Sequence, residues 1–402
     1  MLKSMHYIKI LVVAAMVTVL YSNCKKPSGI DNGNVIETPY SLYFVDTLGA
    51  VYKTNDGLSF NKVFNPDGFP AKAIITSGEV VLLCKNNIYS SIDNGHNFNH
   101  AYDSLQSSAN LFGMGYALNN LPIDCNQSMI IEVPGGSTSP SFVYACSDAP
   151  DPSGTSNYLG VAYNNNHGLR GNWSMDNGYD TTPGMVSPLP VQMVSFALMK
   201  NGTLVGLALN HNSAAGGPSS FRNFINPTPL DAMAIWQEVT GTLVNSTFPD
   251  IDTTLPPNVL YPGISGFFTL GRYNDRLIAI DQKGACGAWY SDDMGRRWKQ
   301  YSGLPSNVPL LCVSSPFDQV SLIGTYGDGL YIYNQGTGAW QRNNSGLGAN
   351  ITVRGITSKR NYYKNGTTKD YIYLATSLGI YQSTDMGLHW TRTIPGNFKN
   401  IY

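Results

Sequence analysis

The chain has 402 residues and a formal net charge of -1, and no basic cluster stands out beyond its N-terminus. Such a chain has no positive field to attract nucleic acid, so we expect no nucleic-acid partner. Charged residues reach only 13%, whereas the chain holds 25 Tyr and 41 Gly. Glu occurs only at Glu37, Glu79, Glu132 and Glu238. Because Glu favours helices while Tyr, Val, Ile and Thr favour strands, the composition predicts an all-β fold.

Residues 1–23 have the pattern of an export signal. Basic residues precede an apolar run at positions 10–20, which at about eleven residues is too short for a stable membrane span. Cys24 follows this run in a way that resembles a bacterial lipoprotein signal, in which that cysteine is lipidated and begins the mature chain. Tyr21 and Asn23 depart from the residues usual at positions -3 and -1 of such signals. A plain secretory signal that happens to contain a cysteine is the alternative.

The resemblance to a lipoprotein signal implies a location in the cell envelope. The protein would be anchored to the membrane through lipid at Cys24, on the outer membrane of a Gram-negative bacterium. Residues 24–38 are polar and rich in Gly and Pro, which is typical of a flexible tether. Residues 39–402 are then predicted to form the folded domain.

Five further cysteines follow Cys24, namely Cys84, Cys125, Cys146, Cys286 and Cys312. Their odd number leaves at least one unpaired. If an oxidising compartment permits a bridge, Cys125 with Cys146 is the favoured pair, while buried apolar cysteine is the default interpretation. The sequence has no CxxC motif and no Cys/His cluster with metal-ligand spacing, so we expect no metal and no cofactor.

A short pattern recurs along the chain. Four segments align, the last three as Ser-x-Asp-x-Gly-x-x-(Trp/Phe) and the first one residue shorter. Their key residues are Thr54, Asp56, Gly57 and Phe60; Ser91, Asp93, Gly95 and Phe98; Ser291, Asp293, Gly295 and Trp298; and Ser383, Asp385, Gly387 and Trp390. The hydroxyl and carboxylate are expected to cap the backbone of a tight turn, and the glycine to supply a positive φ.

This pattern resembles the Asp-box, or BNR repeat, of sialidases and sortilin-like receptors. The chain as a whole resembles single-propeller Asp-box lipoproteins of the sortilin-like and photosystem-assembly-factor-like superfamily. The resemblance implies one β-propeller in which the boxes are structural turns on the face opposite to the ligand. Seven aromatic markers predict seven four-stranded blades, although six or eight would also fit: Phe60, Phe98, Trp173, Trp236, Trp298, Trp340 and Trp390.

The first blade lacks an innermost strand of its own before residues 41–46. The chain ends in a β-like segment at positions 398–402. We therefore predict that this C-terminal strand pairs into the first blade and closes the ring, which removes two exposed sheet edges.

Long insertions point to a ligand face over blades two to five, since a scaffold needs only short connections. They span 104–126, 148–157, 211–232 and 241–262. The residues that we predict to face a ligand are Asp148, Asp151, His211, Arg222, Asp250, Asp252 and Tyr261. Simple surface loops without a ligand are the alternative.

A sialidase is disfavoured, because that family resemblance implies an Arg-Ile-Pro motif and three arginines that clamp a carboxylate. This chain has no Arg before Arg170 and no Arg-Ile-Pro. Another glycoside hydrolase would need only two carboxylates across the scissile bond, for which Asp151 and Asp250 are the hypothesis. A non-catalytic binding or scaffolding propeller with a glycan or protein ligand is the favoured interpretation.

Overall fold

The fold was analysed in a computed structural model. It describes residues 36–38, 41–55, 59–65, 71–76, 80–84, 87–100, 129–136, 139–146, 161–168, 173–175, 179–180, 191–210, 220–231, 235–239, 268–282, 287–295, 298–363 and 365–402.

The described part of the chain is built almost entirely from short strands. In chain order they are β1 (Ile36–Thr38), β2 (Leu42–Asp46), β3 (Val51–Thr54), β4 (Asn61–Phe64), β5 (Ala71–Thr76), β6 (Val80–Cys84), β7 (Asn87–Ser91), β8 (Asn99–His100), β9 (Ile130–Val133), β10 (Phe142–Cys146), β11 (Val161–Asn164), β12 (Trp173–Met175), β13 (Tyr179–Asp180), β14 (Val191–Leu198), β15 (Leu204–Asn210), β16 (Ser220–Asn226), β17 (Trp236–Glu238), β18 (Phe268–Tyr273), β19 (Arg276–Asp281), β20 (Ala288–Ser291), β21 (Lys299–Gln300), β22 (Leu310–Ser314), β23 (Leu322–Thr325), β24 (Leu330–Asn334), β25 (Ala339–Arg342), β26 (Val353–Tyr363), β27 (Thr368–Thr376), β28 (Gly379–Ser383), β29 (Thr391–Pro395) and β30 (Phe398–Ile401). A short 3-10 turn spans Pro316–Asp318.

Within the described residues these strands form seven antiparallel sheets, the blades of a β-propeller. From the innermost strand outward, blade one is β30-β2-β3-β4, blade two β5 to β8, blade three β9 to β12, blade four β14 to β17, blade five β18 to β21, blade six β22 to β25 and blade seven β26 to β29. The predicted all-β propeller with seven four-stranded blades is confirmed. Blade four also gains β13, which pairs in parallel with β17 and was not predicted.

Contacts divide the chain into two compact units. One comprises residues 41–359 and 370–402, and the other residues 1–40 and 360–369. In the smaller unit β1 pairs antiparallel with the end of β26, Ile36 opposite Tyr363 and Thr38 opposite Tyr362. There the Gly366 N–H donates to the Tyr363 carbonyl over 2.9 Å.

The C-terminal strand closes the ring, as predicted. β30 pairs antiparallel with β2, with Ile401 opposite Phe44 and Phe398 opposite Asp46. Tyr402 and Tyr43 exchange two backbone hydrogen bonds of 2.8 Å. The last strand of the chain is thus the innermost strand of the first blade, so that blade has no free inner edge.

The middle strands are nearly continuous apolar runs because each blade is covered by a neighbour on both faces. All five residues of β6 (VVLLC) and of β10 (FVYAC) are buried. Cys84 and Cys146 end these strands as free, buried thiols, and burial raises the pKa of the Cys84 thiol to about 12. Cys146 is free, and Cys125, with which a bridge was suggested, lies outside the described residues.

No helix among the described residues is long and apolar enough to cross a membrane. The signal and tether segments, with Cys24, lie outside the described residues apart from β1.

Candidate functional site

The repeated pattern folds into one type of turn, here called the Ser-Asp turn and represented by residues 91–97, 291–295 and 383–389. In each turn the serine hydroxyl donates to the aspartate, over 2.7 Å from Ser91 to Asp93 and 2.8 Å from Ser383 to Asp385. The same oxygen accepts from the glycine N–H four residues on, over 2.8 Å at Gly95. The glycine has a φ of 82°, which a residue with a Cβ rarely adopts. Asp56 and Gly57 of the first segment lie outside the described residues.

The carboxylates of these turns are occupied by backbone donors. Asp93 accepts from the N–H groups of Asn97 and His96, and the first of these bonds is the largest cause that lowers its pKa. Partial burial raises the pKa of Asp385, but the backbone and ring of His389 and the Ser383 hydroxyl outweigh it and lower that pKa to about 2. Carboxylates held ionised by turn hydrogen bonds are structural, so they are poor proton donors for catalysis.

In three other blades an asparagine stands where serine begins the turn, which was not predicted. The Asn164 amide oxygen accepts from the Gly168 N–H over 2.9 Å, four residues on, as the serine does elsewhere. Asn226 accepts from the Thr228 N–H and Asn334 from the Gly336 N–H. The available signal was an asparagine at the end of the third strand, ahead of the marker tryptophan.

The marker tryptophans at positions 173, 236, 298, 340 and 390 are all buried. Phe60 departs from them, since 39% of it is exposed. Its segment is the one that lacks a residue of the pattern.

Most residues predicted to face a ligand lie outside the described residues, namely Asp148, Asp151, His211, Asp250, Asp252 and Tyr261. Arg222 belongs to β16, where it lies opposite Ala208 of β15. The six residues outside the described range stay a prediction. The long insertion predicted at 211–232 is wrong in part, since its residues 220–226, Arg222 included, form β16.

The innermost strands enclose an axial pocket of about 430 Å³. Its lining is defined by Ile75 of β5, residues 130–132 of β9 with Pro134, residues 196–198 of β14, residues 269–272 of β18, residues 312–314 of β22 with Ser315 and Asp318, residues 356–358 of β26, and Tyr402 after β30. All seven blades thus contribute to one cavity, whose volume lies within the usual range for ligand sites.

The pocket lies at the end of the blades that carries the Ser-Asp turns. In blade five, Arg272 of the pocket is opposite Leu277, and Leu277 is opposite Ser291, where the turn begins. In blade six, Ser314 is opposite Leu322, and Leu322 is opposite Ile332, two residues before Asn334. We predicted the ligand at the other end, over the long loops, whereas the described pocket is at the turn end.

Apolar and polar groups share the wall of the axial pocket about equally, and its hydroxyls come from blades five, six and seven. Leu198, Ile131 and Val313 are its half-buried apolar members. Hydroxyls come from Thr269, Ser314, Ser315, Thr357 and Ser358. Phe196 is only 1% exposed, so its ring offers little surface to a ligand.

Charged groups stand at one side of the pocket. The Arg272 guanidinium pairs with the Asp318 carboxylate over 2.9 Å, each side chain about one-third exposed. The Ser315 hydroxyl donates to the Arg272 carbonyl over 2.5 Å, which joins blades five and six. Phe317 and Asp318 both have a φ of 55°; two successive non-glycine residues in this region store strain, which accumulates at functional sites.

A lysine of β26 follows the pocket residues 356–358 of blade seven. The Lys359 ammonium is 4.6 Å from the centre of the Tyr402 ring, and burial lowers its pKa to about 8. The ammonium therefore stays mostly charged at neutral pH and loses its charge as the pH rises above that value. While charged, it rests on an aromatic face.

No family model and no curated protein matches this chain. Among solved structures, Ycf48 bound to D1 peptide is 13% identical, with 82% of this chain and 89% of that chain covered at a TM-score of 0.46. A GH74 xyloglucanase from Xanthomonas campestris is 12% identical, with 88% and 62% covered at 0.32. An α-L-arabinanase from Penicillium chrysogenum, complexed with arabinobiose, is 13% identical, with 69% and 80% covered at 0.38. Likeness at this level concerns the fold alone and carries no information on ligand or activity.

Proposed function

We propose that this protein is a non-catalytic binding propeller that holds an extended protein segment at the axial pocket. The observation that carries the proposal is the pocket itself, a cavity of about 430 Å³ with mixed apolar and polar walls to which all seven blades contribute. An aliphatic side chain of the ligand would enter the cavity, and the backbone polar groups beside it would meet the hydroxyls of blades five, six and seven. Apolar walls with a few placed polar groups are typical of specific ligand sites.

The pocket chemistry favours a peptide over a sugar. Sugars are commonly held by exposed aromatic faces, and of the two rings in the described lining Phe196 is buried. The half-buried Leu198, Ile131 and Val313 instead suit an aliphatic side chain, whose transfer from water is worth about 1.5–3 kcal/mol when complete. The half-buried Ser314 and Ser358 offer donors and acceptors for a peptide backbone.

The arrangement of the carboxylates favours binding over hydrolysis. Glu132 and Asp318 are the carboxylates in the described lining, and Asp318 is already engaged by Arg272. A glycoside hydrolase needs one carboxyl as acid and a second as base or nucleophile. The hydrolase alternative therefore depends on Asp151 and Asp250, outside the described residues.

The proposal is tested by panning a random heptapeptide library on the full-length protein. We expect enriched peptides to carry an aliphatic residue between polar ones, and their affinity to fall about tenfold or more in Leu198→Lys, since a charge would replace the apolar contact. Leu388→Lys, in a Ser-Asp turn where Leu388 is 53% exposed, is the matched control and should leave the affinity unchanged.

Equal peptide affinity of Leu198→Lys and wild type would contradict the proposal, as would a library in which no sequence is enriched. Release of reducing ends from a neutral polysaccharide by the wild-type protein, lost in Asp151→Asn, would replace it with the glycoside hydrolase alternative.

The proposal also covers the cellular location of the protein and its repeat family. We infer that the protein is an Asp-box propeller lipoprotein of the cell envelope, exported by residues 1–23 and attached to the membrane by lipid on Cys24. Support comes from the residue pattern of the N-terminus and from the Ser-Asp turns. More than one acyl chain at the cysteine gives stable attachment.

Phase separation in Triton X-114 tests the anchor. The full-length protein, expressed in a Gram-negative host, should enter the detergent phase, and Cys24→Ser should stay in the aqueous phase because it lacks the thiol that carries the lipid. Cys84→Ser, at a buried thiol, is the control and should partition like the wild type. A wild-type protein found in the aqueous phase would refute the anchor.

A further inference from the structure

A second cavity of about 390 Å³ lies beside the axial pocket, between blades five and six. We call it the tyrosine cleft. Its lining is Tyr273, Asn274, Asp275, Arg276, Asp292, Tyr333 and Gln335. Arg272 faces the axial pocket and its neighbour Tyr273 faces the cleft, as alternate residues of a strand must.

The floor of the cleft is aromatic. The Tyr273 and Tyr333 rings are 6.1 Å apart at 73°, and Tyr333 is 5.3 Å from the ring of Trp340 beneath it. The Gln335 amide donates to the Tyr273 hydroxyl. Because Tyr273 and Trp340 are buried, this floor is held in one geometry by packing.

The wall of the cleft is a fixed ion pair. The Arg276 Nε–H donates to Asp292 Oδ1 over 2.7 Å, and Nη2 to Oδ2 over 3.3 Å. The same guanidinium stands 4.1 Å above the centre of the Tyr290 ring. A forked pair stacked on an aromatic ring keeps its orientation, so its outward donors and acceptors are arranged before a ligand arrives.

The rim adds planar polar groups. Asn274 and Asp275 form the tip of the β18–β19 hairpin and are exposed, with Asn274 at a φ of 53°. An asparagine can adopt this conformation at the tip of a tight turn. Both residues line the cleft, and the Asn274 side chain hydrogen-bonds to the Tyr273 hydroxyl.

From this geometry we infer that the tyrosine cleft binds a neutral saccharide of one or two rings. Adjacent sugar hydroxyls each donate to a carboxylate and accept from a guanidinium or amide, which are the groups that Asp292, Arg276 and Asn274 present side by side. The C–H face of a sugar ring packs on the half-buried Tyr333 ring. Two carboxylates against one guanidinium disfavour an anionic ligand. This site is separate from the peptide site proposed above, and neither depends on the other.

Binding of neutral di- to tetrasaccharides of glucose, xylose, arabinose, mannose and N-acetylglucosamine to the full-length protein tests the inference by isothermal titration. We expect at least one to bind, and its affinity to fall about tenfold in Asp292→Asn and in Asn274→Gly, which remove a charge-assisted and a neutral hydrogen bond, respectively. Glycine tolerates the positive φ of Asn274, so that variant should fold normally.

Asn307→Gly is the matched control, since Asn307 is also exposed with a φ of 61° and lies outside the cleft. It should bind saccharide as the wild type does, and so should Leu198→Lys of the axial pocket. The inference would be overturned if no neutral saccharide binds, if Asn274→Gly and Asp292→Asn bind as tightly as the wild type, or if sialyllactose or oligogalacturonate binds more tightly than the neutral sugars.

Discussion

Deletion of residues 398–402 is expected to abolish the cooperative folding of the propeller. The deletion removes the innermost strand of blade one and leaves β2 with an unpaired inner edge. Phe398 and Ile401 are buried in this strand, and the Phe398 ring packs edge-on against Phe44 at 4.9 Å. Loss of two such side chains costs about 4–10 kcal/mol, which is comparable with the whole stability of a typical domain.

Circular dichroism and urea unfolding of the truncated chain provide the measurement. Ile401→Ala keeps the strand but loses its buried side chain, and is expected to lower the free energy of unfolding by about 2–5 kcal/mol. Thr391→Ala, at an exposed position of β29, should change it by less than about 0.5 kcal/mol. An unchanged unfolding midpoint after the truncation would disprove closure by β30.

The closure of the propeller ring could be predicted from the number of strands. Residues 41–54 supply two strands with no innermost partner, and residues 398–402 are left over after the last blade. An uncovered sheet edge and a strand without a blade of its own are therefore expected to pair. The serine, aspartate and glycine of the Ser-Asp turns were also predictable, since their hydrogen bonds join residues at most a few positions apart.

The asparagine versions of the turn were not predicted, for a chemical reason. Asn164 and Asn334 accept through a side-chain amide oxygen where serine accepts through its hydroxyl oxygen, and the asparagine side chain is longer. A search by residue identity passes over them, whereas a search by acceptor would have found them.

The axial pocket could not be predicted from the sequence. Arg272 and Asp318 are 46 residues apart, and the cavity that they border draws one short stretch from each blade. No local sequence pattern shows that these residues line one cavity, because each inner strand shows only its own apolar alternation. We predicted the ligand site over the long loops instead, because the length of a loop can be read from a sequence. The convergence of seven strands on one cavity cannot.

Gly346→Ala is expected to lower the free energy of unfolding by about 3 kcal/mol or more. Gly346 follows blade six and has a φ of 83°. A Cβ there would lie 2.0 Å from the carbonyl oxygen of Trp390 in blade seven, and the adjacent Ser345 carbonyl accepts from the Trp390 N–H over 3.0 Å. The added methyl group therefore has to break a backbone contact between blades, since no flexible side chain is available to move.

The same contact recurs one blade earlier, which indicates a general joint between blades. Gly303 has a φ of 85°, a Cβ on it would lie 2.1 Å from the Trp340 carbonyl oxygen, and the Ser302 carbonyl accepts from the Trp340 N–H over 3.0 Å. In both places the chain leaving one blade is held by the backbone of the marker tryptophan in the next. The tryptophan thus joins two blades through its backbone as well as filling one with its ring.

Gly346→Ala combines two destabilising effects, a positive φ and a clash with the Trp390 carbonyl, and Gly327→Ala carries only the first. Gly327 has a φ of 76°, and a Cβ there would meet nothing within 4 Å, so this variant carries only the conformational cost of about 1 kcal/mol. Urea unfolding of both variants and the wild type should therefore rank them wild type, Gly327→Ala, Gly346→Ala in falling stability. Equal losses in the two variants would mean that the contact with the Trp390 carbonyl relaxes without cost, which would contradict the prediction.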